Sequence, residues 1–340
     1  MTAARRTTGS HLIFIASQPR TGSTLLQVLL SAHPEVISPN EIWLMLPLIA
    51  PLKPDFTMAE YDVALARSAI RFFMENSLGD TAAYDEAIRR AALYLYDAAL
   101  ERTDSTYLVD KTPRYYHILP ELRRIFPDAT IITLYRNPCA VLCSIIYTWD
   151  VEEKWHLLGQ YRHDLFQAPE LITGANNDNI SDFVYYYEAL LQDKTSISAV
   201  FHYLGLEMIE DLRVKSSIHR DGFGDPKIDQ NDQLVPSKID TWQEKLDNPQ
   251  VWRLVDDYLD SLGPDLLANM GYDYYQLKTI LADHRPAWIW RRWTLSLEWV
   301  ITHTEPADYQ YKPRAVAYRI SRRIRRYVGK IAYFSHRCWT

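Results

Sequence analysis

The groups best suited to chemistry lie near the amino terminus, in the order Arg20, Thr21, Gly22, Ser23, Thr24. An apolar run precedes them over residues 12–16 and apolar residues at helical spacing follow, so the sequence predicts a strand, a turn and a helix start. Gly22 lets the backbone bend without a Cβ, and Ser23 and Thr24 bring hydroxyls and N–H groups to the beginning of the helix, a place that attracts phosphate. The spacing of an ATP or GTP P-loop is absent, because the cation Arg20 stands before the glycine and no lysine follows it. A different phosphorylated cofactor is implied; the other reading is a strand-turn-helix corner with a solvated arginine.

Residues 129–149 repeat the design. A β-rich run ends in Arg136-Asn137-Pro138, with Pro138 suited to the first turn of a helix, and Ser144 stands two helical turns beyond Arg136. An arginine and a hydroxyl converging on one phosphate suit charge-assisted binding. The alternative is an exposed Arg and a helical Ser facing a neighbour.

Together the two segments resemble those of the sulfotransferases that use 3′-phosphoadenosine 5′-phosphosulfate (PAPS). The resemblance implies that Arg20, Thr21, Gly22, Ser23, Thr24 and Leu25 hold the 5′-phosphosulfate, and that Arg136 and Ser144 hold the 3′-phosphate. It extends over residues 12–275. His33-Pro34-Glu35-Val36 with Glu41 resembles the "HPxV…E" stretch of the carbohydrate and tyrosylprotein branches, and Lys111-Thr112-Pro113 resembles their "KxP" segment. Residues 185–191 and 203–206 are similar to "YEdLl…fLGl", and Gly224-Asp225-Pro226-Lys227 with residues 237–242 and Gly271-Tyr272 resembles the ending of bacterial members. Two departures are Ala189, where an acidic residue is usual, and Cys139, where Asp, Arg or Glu is usual.

Sulfuryl transfer needs an acceptor oxygen aligned with sulfur, charge on the leaving phosphate neutralised, and the acceptor's proton removed. The resemblance gives the second role to Arg20 with the backbone of residues 22–25, and the third to Glu41, the position of the tyrosylprotein branch's glutamate. Lys111 would bridge to the sulfuryl oxygens, and Tyr187 and Lys227 would touch the cofactor's adenosine or phosphate. The bland alternatives are a salt-bridging Glu41, a strand-end Lys111 and a buried strand Tyr187. A histidine could serve as base instead, with His156 and His219 the loop candidates and His33 packing at the end of its helix. No metal is expected, since the histidines show neither HExxH nor Cys/His spacing.

Strand candidates at 12–16, 107–110, 130–135 and 182–188 alternate with helical stretches, which predicts an α/β fold with a mostly parallel sheet flanked by helices, P-loop-like by resemblance. Ligands of such sheets bind beyond the strands' carboxyl ends. Helices are predicted over about 58–76, with a Thr57/Glu60 capping box, over 81–101 and over 243–271; residues 150–181 and 222–236 read as loops. One sulfotransferase domain is expected over 10–284, with a helical insert at about 42–106 covering the acceptor side.

The 340 residues are 47% hydrophobic, ample for a core. No apolar run is long enough for a bilayer, and the first loop lies close to Met1, so a cytoplasmic protein without a leader or anchor is expected. Cys139, Cys143 and Cys338 suggest reduced thiols and neither a disulfide framework nor a metal site. The net charge of −6 conceals a contrast: residues 285–340 hold twelve Lys and Arg against three Asp and Glu, so a tail at +9 follows a body at about −15. The tail carries five of the ten tryptophans, and Arg319, Arg322, Arg323, Arg325 and Arg326 fit a basic amphipathic helix. It reads either as a clasp on the acidic body or as a docking face for anionic lipid at the inner membrane or for an anionic glycan, whereas nucleic acid suits neither the acidic body nor the motifs.

The leading expectation is a PAPS-dependent sulfotransferase, releasing 3′,5′-ADP (PAP), that acts on a hydroxyl of a bacterial glycan or lipid-linked glycan with Glu41 as base. A tyrosine acceptor fits the same chemistry. A nucleotide-dependent kinase and a non-catalytic PAP-binding protein are the alternatives from other classes.

Overall fold

The computed structural model describes residues 8–39, 41–50, 63–149, 151, 154–207, 239–286 and 295–302. The described residues all belong to one compact unit. Lys227, His219, the side chain of His156, the Thr57/Glu60 box and most of the basic tail lie outside the described residues.

Among the described residues five parallel strands form one sheet in the order β2-β3-β1-β4-β5: β1 Leu12–Ser17, β2 Val36–Ile37, β3 Tyr107–Lys111, β4 Thr130–Tyr135 and β5 Phe183–Tyr186. β1, β3 and β4 are buried along their whole length, as central strands covered on both faces must be. Side-chain alternation divides them between two cores. Leu12, Phe14, Ala16, Leu108 and Ile131 face one way, against Ile88, Ala92, Leu93 and Tyr96 of a helix at Ala82–Leu100. Ile13, Ile15, Val109, Ile132 and Leu134 face the other, against Leu25, Leu26 and Leu29 of the first helix and Val200 and Phe201.

In chain order the helices are α1 Ser23–Leu30, α2 Met45–Ile49, α3 Val63–Phe73, α4 Ala82–Leu100, α5 Leu119–Ile125, α6 Pro138–Thr148, α7 Ala168–Asn177, α8 Tyr187–Gln192, α9 Ser198–Leu204, α10 Pro249–Asn269, α11 Tyr274–Asp283 and α12 Leu297–Thr302. α10 is bent at Gly263-Pro264. A third core joins α6 to α10, α11 and α12 through Cys139, Cys143, Ile146, Val255, Leu281, Leu297 and Val300. Both cysteines are free, and burial raises their thiols above the ordinary range, Cys143 to about 12. The described start of the basic tail is tied down: the Gln250 amide donates to Leu295 O at 2.8 Å and accepts from Leu295 N at 2.7 Å. Among the described residues no helix is long and apolar enough to cross a membrane.

Two expectations change. Residues 155–177 are not a loop: turns of 3₁₀ and π-helix over Trp155–Tyr161 and His163–Gln167 lead into α7. The strand expected at 182–188 ends at Tyr186, and Tyr187 and Glu188 open α8.

Candidate active site

The sheet places four candidate segments along its carboxyl edge: residues 18–22 after β1, Lys111 at the end of β3, Arg136 after β4 and Tyr187 after β5. Two groups of side chains form there.

The first surrounds the turn into α1. Arg20 and Gly22 both have left-handed backbones, at φ 74 and φ 92. Thr21 is buried, and its hydroxyl donates to Gln18 O at 2.8 Å, closing the turn. Gly22 cannot carry a side chain here, since a Cβ would stand 2.3 Å from Cδ2 of Tyr187. The first N–H groups of α1, at Ser23 and Thr24, have no partner within their own helix and are directed out of its start. Arg20 Nε donates to Ser144 Oγ at 3.2 Å and Nη2 to Thr148 Oγ1 at 3.4 Å, so two hydroxyls of α6, one turn apart, meet one guanidinium. Arg136 Nη1 donates to Arg20 O at 3.0 Å, and its guanidinium lies 4.2 Å over the Tyr187 ring. The structure therefore brings Arg20, Gly22, Arg136, Ser144 and Tyr187 together, with Arg20 between Arg136 and Ser144.

Arg136 is supported from behind. Asn137 caps α6 by accepting from Cys139 N at 2.9 Å, and Asn137 N donates to Glu188 Oε1 at 2.9 Å. The second oxygen of Glu188 accepts from the Tyr272 hydroxyl at 3.0 Å. Burial, with Glu188 close by, raises the Tyr272 phenol well above its usual range, and burial lowers Arg136. Glu188 spends its oxygens on Asn137 and Tyr272, and Arg136 Nε is buried with no hydrogen-bond partner. A half-buried cation with a buried, unspent donor suits an anion such as a phosphate.

The second group is the pair expected to do proton chemistry. Lys111 is fully buried, and its Nζ donates to Glu41 Oε1 at 2.5 Å. The other oxygen of Glu41 accepts from the Trp43 indole at 3.2 Å. Trp43, another left-handed residue at φ 59, has the Arg114 guanidinium 5.5 Å over its ring, and Arg114 in turn makes a two-pronged pair with buried Asp164. His33 packs against Phe201 and bonds Glu35 N and Glu207 O at the end of α1, away from a base's role.

Sequence reasoning did not single out Trp43, Thr148, Glu188 or Tyr272 for the site. Thr148 had a usable signal, standing one helical turn beyond Ser144.

A model of the sulfotransferase family matches residues 13–211, more than half of the chain. Nodulation protein NoeE of Sinorhizobium fredii is 27% identical over 296 residues, covering 77% of this chain and 66% of that protein. Protein-tyrosine sulfotransferase 1 of Mus musculus is 28% identical over 137 residues, covering 40% of this chain and 34% of that protein. The chain thus spans just under two thirds of the first relative and about a third of the second. Among solved structures, the sulfotransferase domain from the curacin biosynthetic pathway aligns with TM-score 0.50 at 21% identity, over 77% of this chain and 97% of that one, a likeness of fold. The match over residues 13–211 takes in both groups of side chains just described apart from Tyr272, and the chain belongs to the sulfotransferase family.

Proposed function

We propose that the protein transfers the sulfuryl group of PAPS to a hydroxyl acceptor, with Glu41 as the base. The acceptor oxygen forms a bond to sulfur, the bond from sulfur to the 5′-phosphate oxygen breaks, PAP leaves with that electron pair, and the acceptor's proton passes to Glu41. Lys111, paired with Glu41, bridges to the sulfuryl oxygens in this scheme. The N–H groups at the start of α1 receive the 5′ end, and Arg136, Ser144 and Tyr187 hold the 3′-phosphate and adenosine, joined by Lys227. Arg20, which stands just before α1 with its guanidinium on Ser144, neutralises the charge that grows on the leaving 5′-phosphate. The observation that carries this reading is the half-buried Arg136, its buried Nε without a hydrogen-bond partner, beside Arg20 and Ser144 and on the same sheet edge as the pair of buried Lys111 with half-buried Glu41.

The acceptor we propose is a glycan, because an indole stands at the base and an aromatic ring suits the apolar face of a sugar; a lipid-linked glycan would bring the basic tail into play. A tyrosine in an acidic peptide is the competing acceptor. No metal enters the scheme, since arginines and backbone N–H groups meet the cofactor's charge.

The test is thermal stability with PAP beside 5′-ADP and ATP. Ligand at ~100 times its Kd stabilises by about 2.7 kcal/mol. PAP alone should raise Tm; a rise with ATP and none with PAP overturns the reading in favour of a kinase. Glu41→Gln should keep the PAP response and lose transfer to oligosaccharide and acidic peptide panels. Retained transfer removes Glu41 from the role of base.

A further inference from the structure

Asp110 directly precedes Lys111, yet by strand alternation it points to the opposite face of the sheet, into the core shared with α4. It is a carboxylate 1% exposed with no cation on it in hydrogen-bond reach among the described residues. Three hydroxyls surround it instead: Tyr96 of α4 at 2.5 Å, Tyr115 at 2.7 Å and Thr112 at 3.2 Å.

Two of those hydroxyls also face the loop that carries Glu41. Thr112 Oγ1 accepts from Trp43 N at 3.2 Å, and the Tyr115 oxygen accepts from Met45 N at 3.1 Å. An ionised carboxylate only accepts, so it obliges each hydroxyl to donate inward and to turn a lone pair towards the loop. The loop N–H groups then find acceptors in fixed places. Trp43, held by its backbone, in turn grips Glu41 Oε2 through its indole.

We propose that Asp110 is the positioning residue for Glu41, acting through the Thr112 and Tyr115 hydroxyls on the backbone of Trp43 and Met45. The proposal rests on Glu41 being the base. The chain of contacts places both controls of Glu41 on consecutive residues of β3: Lys111 takes one carboxylate oxygen directly, and Asp110 fixes the loop that orients the other. Tyr96 supplies an internal comparison, because it donates to the same carboxylate and, among the described residues, carries no loop N–H.

The experiment uses the full chain with two readouts: amide hydrogen exchange at Trp43 and Met45, and PAP release from PAPS with water as the acceptor. Thr112→Val should speed exchange at Trp43 at least tenfold and slow PAP release about tenfold, with the Kd for PAP changed less than twofold. Thr112→Ser restores the hydroxyl and should restore both. Tyr115→Phe should do to Met45 what Thr112→Val does to Trp43, and serves if the valine variant fails to fold. Tyr96→Phe should leave both readouts near wild type although it loosens the same carboxylate. Equal effects from Tyr96→Phe and Thr112→Val would reduce Asp110 to a fold-stabilising group and overturn the proposal, as would Thr112→Val with unchanged exchange and turnover. Glu41→Gln separates the two readings. If it leaves PAP release intact, the base assignment fails and positioning of a base fails with it. If it abolishes release and Thr112→Val does not slow it, only the positioning proposal falls.

Discussion

Gly22→Ala tests whether the phosphate-side geometry is as close as the structure makes it. Two costs separate cleanly. At φ 92 an alanine adopts the left-handed region, at about 1–2 kcal/mol. The new Cβ also falls 2.3 Å from Cδ2 and 2.7 Å from Cε2 of Tyr187, where carbon contacts need roughly 3.5 Å, so the ring must withdraw by about 1 Å. That ring is stacked under Arg136 at 4.2 Å, and withdrawal forfeits about 0.5–1.5 kcal/mol of cation–π attraction and strains the rotamer by a similar amount. The sum is about 2–5 kcal/mol. In a Tyr187→Ala background the clash is gone and only the backbone cost of about 1–2 kcal/mol remains. Urea denaturation of the wild type, both single variants and the double variant gives the cycle, and a coupling of ~1–3 kcal/mol in the compensating direction is expected. Additivity within about 0.5 kcal/mol would show that Gly22 and Tyr187 do not meet, and the argument for a glycine at this turn would reduce to its φ.

Burial dominates at Asp110 and, despite three hydroxyl donors and nearby Lys111, lifts its carboxyl from 3.8 to about 6. The folded state then holds the proton more tightly than the unfolded one, so this group's contribution is fully present below pH ~4 and falls by about 3 kcal/mol as pH rises through about 6. The unfolding free energy of wild type minus that of Asp110→Asn should decline over that window; a flat or rising difference would refute the burial argument. Glu188→Ala removes the acceptor for Asn137 N and for Tyr272 OH. It should weaken PAP binding by loosening Arg136, with Glu188→Gln intermediate, and unchanged titration calorimetry for both variants would count against the support role.

The central strands were legible because each is a short apolar run buried on both faces, and β1, β3 and β4 stand where residues 12–16, 107–110 and 130–135 read as strands. The stretch at 155–167 was not, because 3₁₀ and π turns lack the 3.6-residue period that betrays a helix. Arg20, Gly22, Arg136 and Ser144 could be grouped from the sequence, since each follows a strand or rides the next helix. Glu41 and Lys111 were linked only through a family pattern, as no periodicity connects residues 70 apart. Trp43, Thr112 and Tyr115 are further from view still. They act through backbone N–H groups and hydroxyls, and such contacts leave no trace in residue type.

Local preference fails at informative places. Among the described residues, the non-glycine residues in the left-handed region are Arg20, Trp43 and Asn179. Asparagine is at home there, whereas Arg20 and Trp43 each pay about 1–2 kcal/mol and stand one in each half of the site. Both backbones are gripped from the carboxyl end of a neighbouring strand: Arg20 O accepts from Arg136 beyond β4, and Trp43 N donates to Thr112 beyond β3. The same two contacts hold the phosphate-side arginine between Arg136 and Ser144 and bring an indole to the carboxylate of Glu41. Strain at those residues therefore persists because the parallel sheet delivers their partners in register, and the sheet edge holds the Arg20–Arg136 group and the Glu41–Lys111 pair, the halves proposed to bind the anion and to accept the proton, in one rigid frame.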